Sequence, residues 1–520
     1  MRIAALDLGT NSFHLLIVDA HGDRTFVPLA KEKEMLRLGD VVAREGWVPE
    51  LDAARAVATV ARFRSLADAA GCEEIVACAT SAIREAENGG ELVDRIGDEA
   101  GVDVRVITGA EEARLIFEAI RASVVIDPAP ALAFDMGGGS LEVMVGDRRG
   151  LRWSSSLKLG VARLTAELVR HDPPSEGDVR RLRKAFTAGL APLANDVAPH
   201  DPALVVGTSG TLCTLARMVA ARRAGAVPAS VNQLRFSRDE LIPIHKELLA
   251  QPAATRARIP GLDAGRTDII VAGSLFLLTA MELFGFEEMT VSEWALREGI
   301  VLDAIGHHDA ADWSGDPRAI RRASVLELCH RCNWDEVHSR QVAKLALQLF
   351  DQTLPLHGLG PHDREILDLA SLLHDIGAHV SNEAHHKHTA YLIQHGRLRG
   401  FPPEEVDVLA ALGRYHRGGD PRSSREPLAS LGPEWHERVP KLAALLRVAD
   451  GLDRSRSGSV EEVRLRIGNH RVRLMVASSG DADVDVWGAR RKRELFEKLF
   501  GRRLEVLAES SRRTPFESAS

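Results

Sequence analysis

Two short phrases in this chain place the same chemistry at one fixed spacing. Leu6-Asp7-Leu8-Gly9-Thr10-Asn11-Ser12 and Phe134-Asp135-Met136-Gly137-Gly138-Gly139-Ser140 align without a gap, each residue lying 128 positions from its counterpart. An apolar run precedes each copy and another follows it, so each predicts a strand, a tight turn headed by a carboxylate, and a returning strand. Glycine and small polar residues let backbone N–H groups approach an anion, and an aspartate at a strand end can hold a divalent cation. Repetition implies two related half-domains, each offering a loop of phosphate size. A third such loop, Gly207-Thr208-Ser209-Gly210-Thr211, follows the apolar run Ala203–Val206.

Other residues supply what a phosphate site needs. Arg84 closes the segment Ala79-Thr80-Ser81-Ala82-Ile83-Arg84 and is a candidate guanidinium clamp. Glu142, two residues past Ser140, can join Asp135 around Mg²⁺. Glu112, at a predicted helix start beside Thr108-Gly109, is the candidate to orient and deprotonate a water. Phosphoryl transfer asks for little more than positioning, charge neutralisation and one such group. On spacing alone an ordinary surface pair is the better reading of Arg84 and Glu112, and Glu142 can be an exposed strand residue.

These residues must be held by ordinary α/β elements. Helix is expected over Asp52–Ala70, over Gly90–Ala100, from Ala110 onward and over Thr267–Phe284; strand is expected at Glu74–Cys78, Val104–Ile107 and Met289–Val291. The composition breaks at Asp312–Pro317, and from there to about residue 453 the pattern is all-helical and rich in His. Ser455–Ser459 marks another break, before a hairpin turned at Gly468-Asn469, a helix over Ala489–Phe500 and a strand at Leu504–Leu507. The expected domains are therefore 1–125, 126–305, 306–453 and 460–520.

With 520 residues the chain exceeds one core. Apolar content of 45% and charged content of 27% are those of a soluble globular protein. A net charge of −8 and 5% aromatics argue against a nucleic-acid surface, so a polyanion must be gripped locally. Five cysteines make no disulfide framework, and Cys329-x-x-Cys332 lacks the second pair that a zinc site needs. The N-terminal apolar stretch carries Asp7 and no basic leader, and no apolar run reaches bilayer length. A cytoplasmic, reduced location without membrane contact is expected.

The ordered phrases Asp7–His14, Ala79–Arg84, Thr108–Ile116, Asp135–Glu142 and Gly207–Thr211 together resemble the exopolyphosphatase / guanosine pentaphosphate phosphatase family. Val291–Ile300 resembles the segment that closes its second lobe. The resemblance covers about residues 1–305 and implies an actin-like, ribonuclease-H-like ATPase fold of two lobes. It implies Glu112 as catalytic base, with Asp7, Asp135 and Glu142 holding Mg²⁺ or Mn²⁺. Thr10, Asn11, Ser12, Arg84, Gly137, Gly138, Gly139, Ser140, Lys158, Ser209, Gly210, Thr211 and Arg266 would bind phosphates. The implied reaction is attack of water on a terminal phosphoryl group of inorganic polyphosphate, or of guanosine pentaphosphate. A K⁺ requirement and a homodimer are further implications. A kinase on the same fold lacks an acceptor signal in this sequence, and a non-catalytic alarmone or polyphosphate sensor has no reason to keep Glu112, Asp135 and Glu142.

In the helical region His338, His374-Asp375, His386 and His388, Tyr415-His416 and Asp450 follow in an order similar to an HD-type phosphohydrolase domain. Members of the family often carry such a domain as their third region. His338, His374, Asp375 and Asp450 are then expected to hold a second divalent metal. A second phosphohydrolase activity on a nucleotide is the weaker implication. The extended helical region leans the substrate toward polyphosphate.

Overall fold

The repeated phrase builds two copies of one sheet. The chain was analysed as a computed structural model that describes residues 1–21, 25–308, 317–421 and 427–509. In the first sheet β1 (Arg2–Leu8) pairs antiparallel with β2 (Ser12–Ala20), β2 pairs with β3 (Phe26–Met35), and β4 (Glu74–Ala79) and β5 (Val104–Val106) add in parallel on the other side of β1. The second sheet repeats this series. There β6 (Ala131–Met136) pairs antiparallel with β7 (Leu141–Asp147), and β7 with β8 (Gly150–Leu157). β9 (Leu204–Thr208) then adds in parallel beside β6, followed by β11 (Glu288–Val291), with the short β10 (Arg235–Ser237) antiparallel at the edge. β6 and β7 are buried along their whole lengths, as strands covered on both faces must be.

β3, β8 and β10 carry no clear apolar alternation and were not anticipated. β3 reads Leu29-Ala30-Lys31-Glu32-Lys33-Glu34, an edge strand whose charges point to both faces and hide the period of two.

The sheets are tied together by an exchange of helices. Thr108 caps the helix Gly109–Arg121 by accepting from the Glu111 N–H at 3.2 Å, and Leu115, Ile116, Phe117 and Ile120 form its buried face. This helix leaves the first sheet and packs on β7 and β8 of the second. The helix Leu296–His308 does the reverse, leaving the second sheet to pack on β1 and β2. The two helices also lie on one another, and Arg114 pairs with Asp303 across them at 2.9 Å. A single apolar core holds residues of both sheets and both helices.

The chain divides into two units, Met1–Ala323 with Arg399–Pro403, and Ser324–Leu398 with Glu404–Ser520. Both sheets lie in the first. The second is helical from Ser324 to Gly451 and ends in an α+β segment. There β12 (Val460–Ile467) pairs antiparallel with β13 (Arg471–Ser478), and β14 (Arg503–Ala508) adds in parallel. Gln348 and Gln352, one turn apart on the helix Glu336–Gln352, hydrogen-bond the outer edge of β12. The N–H groups of Val463 and Leu465 donate to their side chains at 2.9 and 2.8 Å. A strand edge is thereby closed by side-chain amides. The single helix expected over Ala489–Phe500 is instead two, Asp483–Lys492 and Glu494–Phe500, broken at Arg493. The composition break beginning at Asp312 lies outside the described residues. All five cysteines are free, and no helix among the described residues is long and apolar enough to cross a membrane.

Gly299 sits where the exchanged helices touch: a Cβ there would lie 2.1 Å from the Leu115 carbonyl oxygen. Gly299→Ala is expected to force the helices apart and destabilise the protein by about 1–3 kcal/mol, the usual cost of overpacking. Thermal unfolding checks this; an unchanged midpoint would mean that the helix contact yields freely.

Candidate active site

Both carboxylate-headed turns open onto one cavity of about 220 Å³. Its walls include Asp7, Thr10, Asn11, Ser12, Glu112, Asp135, Gly137, Gly138, Ser140, Glu142, Ser209, Gly210 and Arg266, all expected from the sequence. The turns meet closely, since a Cβ on Gly138 would lie 3.2 Å from Asn11, and one on Gly139 would lie 2.8 Å from the Thr10 side chain.

Register explains the acidic floor. Asp135 on β6 stands directly opposite Glu142 on β7, a like-charge cross-strand pair that a sheet would not select for stability. The exchanged helix brings Glu112 to them from the other lobe, and β1 contributes Asp7. Burial pushes the carboxyls of Asp7 and Asp135 up to about 7, and neighbouring acids add to it: Glu112 and Glu298 for Asp7, Glu112 and Asp7 for Asp135. Glu142 is raised well above the usual range by burial, Glu112 and Asp135, against hydrogen bonds from Ser156 and Ser140. Glu112 is also raised by burial, opposed by Arg84.

The buried Asp135 Oδ1, Glu142 Oε2 and Asn11 Oδ1 have no hydrogen-bond partner. Buried polar atoms are normally paired. Hard oxygen donors in a crowded acidic pocket fit a divalent cation such as Mg²⁺.

Phosphate-sized donors surround this floor. Ser209, at φ 97°, turns the chain into the helix Gly210–Ala224. A Cβ on Gly210 would fall 1.8 Å from the Arg266 guanidinium, so glycine is what lets Arg266 lie across the turn, where it donates to Thr211 Oγ1 at 3.3 Å. Arg84 is not on the cavity wall. It donates to Glu112 Oε2 at 3.1 Å and to the Ile107 carbonyl at 2.6 Å, and so orients the candidate base. The Arg84–Glu112 pair is thus real, but Glu112 is buried rather than at the surface, as is Glu142. Lys158 is mostly exposed and pairs with Glu85 at 2.9 Å, as does Arg163, a link between the lobes at the rim. Gly139 and Thr211 stand behind the wall residues.

The sequence reading missed Lys33, His14 and Arg297, which also line the cavity. His14 and Arg297 lie inside quoted motifs but at positions that only the tertiary fold turns inward. Lys33 is on the unanticipated β3.

In the helical unit His338, His374 and Asp450 bring ligand atoms within 4.8 Å of one another. Asp375 turns instead to a neighbouring set with His385 and His416, neither of them among the four expected ligands. His385, rather than His386 or His388, meets His416, at 3.1 Å between Nε2 atoms. Three rings are held alike through Nδ1: His374 donates to the Ser371 carbonyl at 2.7 Å, His416 to the Gly413 carbonyl at 2.8 Å, and His338 bonds Asp453 at 2.7 Å. Each Nε2 is left as the lone-pair atom, the arrangement by which ligating histidines are oriented. The Nε2 of His374 is buried without a partner. Burial pushes the Asp450 carboxyl up, but the Lys492 ammonium bonded to it outweighs that and holds it well below the usual range.

A raised carboxyl titrates against folding. Asp135 shifts from 3.8 to about 7, so its neutral form imposes no penalty at pH 4, and stability is lost as pH rises toward 7 and stays lost above it. In chelator, Asp135→Asn is expected to raise the unfolding midpoint at pH 8 by at least about 2 °C, and to leave it unchanged near pH 4. A lower midpoint at pH 8 would contradict the crowding argument.

The sequence model of the Ppx/GppA phosphatase family matches residues 17–308, and that of Ppx/GppA phosphatase domain III matches residues 320–482. Exopolyphosphatase 1 of Mycobacterium tuberculosis is 36% identical over 307 residues, covering 58% of this chain and 88% of the relative. The guanosine-5′-triphosphate,3′-diphosphate pyrophosphatase of Aeromonas hydrophila is 27% identical over 463 residues, 86% of each chain. The crystal structure of an exopolyphosphatase from Cytophaga hutchinsonii aligns with a TM-score of 0.56 at 32% identity, covering 59% of this chain and 98% of that one. With more than half of its residues inside the first match and the helices from Ser324 to Gly451 inside the second, this chain belongs to the Ppx/GppA phosphatase family.

Proposed function

We propose that the cleft hydrolyses phosphoric anhydrides as an exopolyphosphatase, releasing orthophosphate from the end of inorganic polyphosphate. The observation that carries the reading is the juxtaposition of three phosphate-sized turns with four carboxylates in one cavity, Glu112, Asp135 and Glu142 buried and Asp7 half-buried. In this reading Glu112 accepts a proton from the attacking water. The water oxygen bonds to the terminal phosphorus while the bridging P–O bond breaks, and the shortened chain departs. Arg84 holds Glu112 in place, and Asn11, Ser12, Ser140, Ser209, Gly210 and Arg266 position the phosphoryl oxygens. Thr10, Gly137, Gly138, Gly139 and Thr211 shape the turns, and Lys158 is released from Glu85 when an anionic chain arrives. Asp7, Asp135 and Glu142 would hold Mg²⁺ or Mn²⁺, which supplies charge neutralisation at the reacting phosphate.

Burial raises the Glu112 carboxyl against the opposing Arg84 guanidinium, which makes it a stronger base toward water than an exposed glutamate. Glu112→Gln is expected to lower phosphate release from polyphosphate by about 10²–10⁴-fold while the protein stays folded. A fall of less than tenfold, about 1.4 kcal/mol of barrier, would move the base elsewhere or favour a sensor.

The similarity to the Aeromonas hydrophila pyrophosphatase extends through the helical unit, which supports guanosine pentaphosphate as the second reading. Side-by-side rates on long polyphosphate, short polyphosphate and guanosine pentaphosphate decide between them. A homodimer and a K⁺ requirement, carried by the resemblance, are read in the same preparations by mass in solution and by replacing K⁺ with Na⁺.

The HD-type reading of the helical unit is supported by the converging Nε2 atoms of His338 and His374 with Asp450. We assign them a second divalent metal, with Asp375, His385 and His416 beside it. Metal analysis of purified protein is expected to show a transition metal that His374→Ala loses, with polyphosphate hydrolysis retained. No metal above background in wild type would remove this site.

A further inference from the structure

A second cavity, of about 610 Å³, opens in the helical unit beside the histidine cluster. Its size is that of a small-molecule site, about 300–1,000 Å³. Five cationic side chains face it, Arg417, Arg454, Arg456, Arg491 and Lys492, against the two carboxylates of Asp375 and Asp450. A chain with a net charge of −8 has no general surplus of cations to place in one hollow.

The cations fall into two groups. Lys492 is bonded to Asp450, and Arg456 to Asp375 and, at 2.9 Å, to Asp335. Arg417, Arg454 and Arg491 have no ion pair among the described residues. Arg491 lies over the Trp487 ring at 5.0 Å, and that indole is half exposed at the cavity wall.

The run Arg490-Arg491-Lys492-Arg493 does not form a basic stripe. Arg490 donates to the Val506 carbonyl at 2.7 Å and Arg493 to the Leu504 carbonyl at 3.4 Å, so both face β14. Only Arg491 and Lys492 turn into the hollow. A concave wall of two donors from one helix and three from loops suits a compact anion, not an extended nucleic acid.

We propose that this cavity is a binding site for a nucleoside phosphate, distinct from the hydrolytic cleft. Its phosphates would bridge the unpaired guanidiniums, which offer paired donors to phosphate oxygens. The indole of Trp487 would pack on the base. The helix Asp483–Lys492 supplies this wall, and it packs on Pro433–Gly451, the helix that carries Asp450. Gly451 allows that approach, because a Cβ there would lie 2.7 Å from the Ala489 Cα. The proposal leans on the second-metal reading only for what lies beneath the phosphates; the cationic wall stands without it.

The test is calorimetric titration of the full-length protein with ADP, GDP, guanosine and orthophosphate, in Mn²⁺ and again in chelator. Wild type should bind a nucleoside diphosphate, and Arg491→Ala and the Arg491→Ala/Lys492→Ala pair should weaken it at least tenfold without changing polyphosphate hydrolysis. Trp487→Ala should weaken the nucleotides and leave orthophosphate unaffected. Arg491 is exposed, so the single variant keeps the test valid if removing Lys492 harms folding. Affinity unchanged in Arg491→Ala, or no nucleotide binding by wild type, overturns the proposal. Orthophosphate binding as tightly as nucleotide, with Trp487→Ala silent, overturns the nucleoside part. If wild type retains no Mn²⁺ yet loses nucleotide on Arg491→Ala, the metal reading fails and this one stands.

Discussion

Four carboxylates are held at the floor of one cleft, out of water and within reach of one another's fields. The carboxyls of Asp7, Glu112, Asp135 and Glu142 are all raised there, and burial is the largest cause in every case. Such crowding opposes folding unless cationic charge enters the same space. Arg84 answers it for Glu112, and Arg297 in part for Asp7. The unpartnered oxygens of Asp135 and Glu142 leave the remainder to a bound cation and to the donors of the three turns. Stability is given up at the point where anhydride chemistry needs charge.

The twin-sheet architecture sustains that arrangement. Neither lobe alone contains the floor, since Asp7 belongs to the first sheet and Asp135 and Glu142 to the second. Glu112 belongs by chain to the first lobe and by packing to the second, because its helix crosses over. The crossing helices share one apolar core, so the cleft walls are fixed by close-packed side chains rather than by surface contacts. At the rim Glu85 meets Arg163 and Lys158, charged contacts that yield more readily than the core beneath them.

The helical unit solves a related problem with histidine. Rings of His338, His374 and His416 are each fixed by a bond at Nδ1, which frees the Nε2 of His374 and turns that of His416 to His385. The α+β segment then adds Arg491 and Lys492, and loops before it add Arg417, Arg454 and Arg456. Sequence-remote parts of one unit thus combine a histidine cluster with a wall of cationic side chains.

The repeated carboxylate turns and their flanking apolar runs were legible because both features are local. A period of two, a glycine-rich turn and a fixed offset need no partner to be recognised, and they were enough for the two lobes and for Asp7 and Asp135 of the floor. The family motifs carried Glu112 and Glu142, whose spacing alone left open a position at the surface. Edge strands such as β3 were hidden because solvent and charge impose no apolar period on them. The remaining assignments depended on contacts between distant residues. That Arg84 serves Glu112 rather than lining the cavity is settled by the path of the chain between the sheets. So are the facing of His14, Lys33 and Arg297 into the cleft, the meeting of His385 with His416, and the turn of only Arg491 and Lys492 into their hollow. Sequence determined which groups were available and the local shapes that present them; tertiary packing decided which groups share a space, because burial and charge act through distance in space and not along the chain.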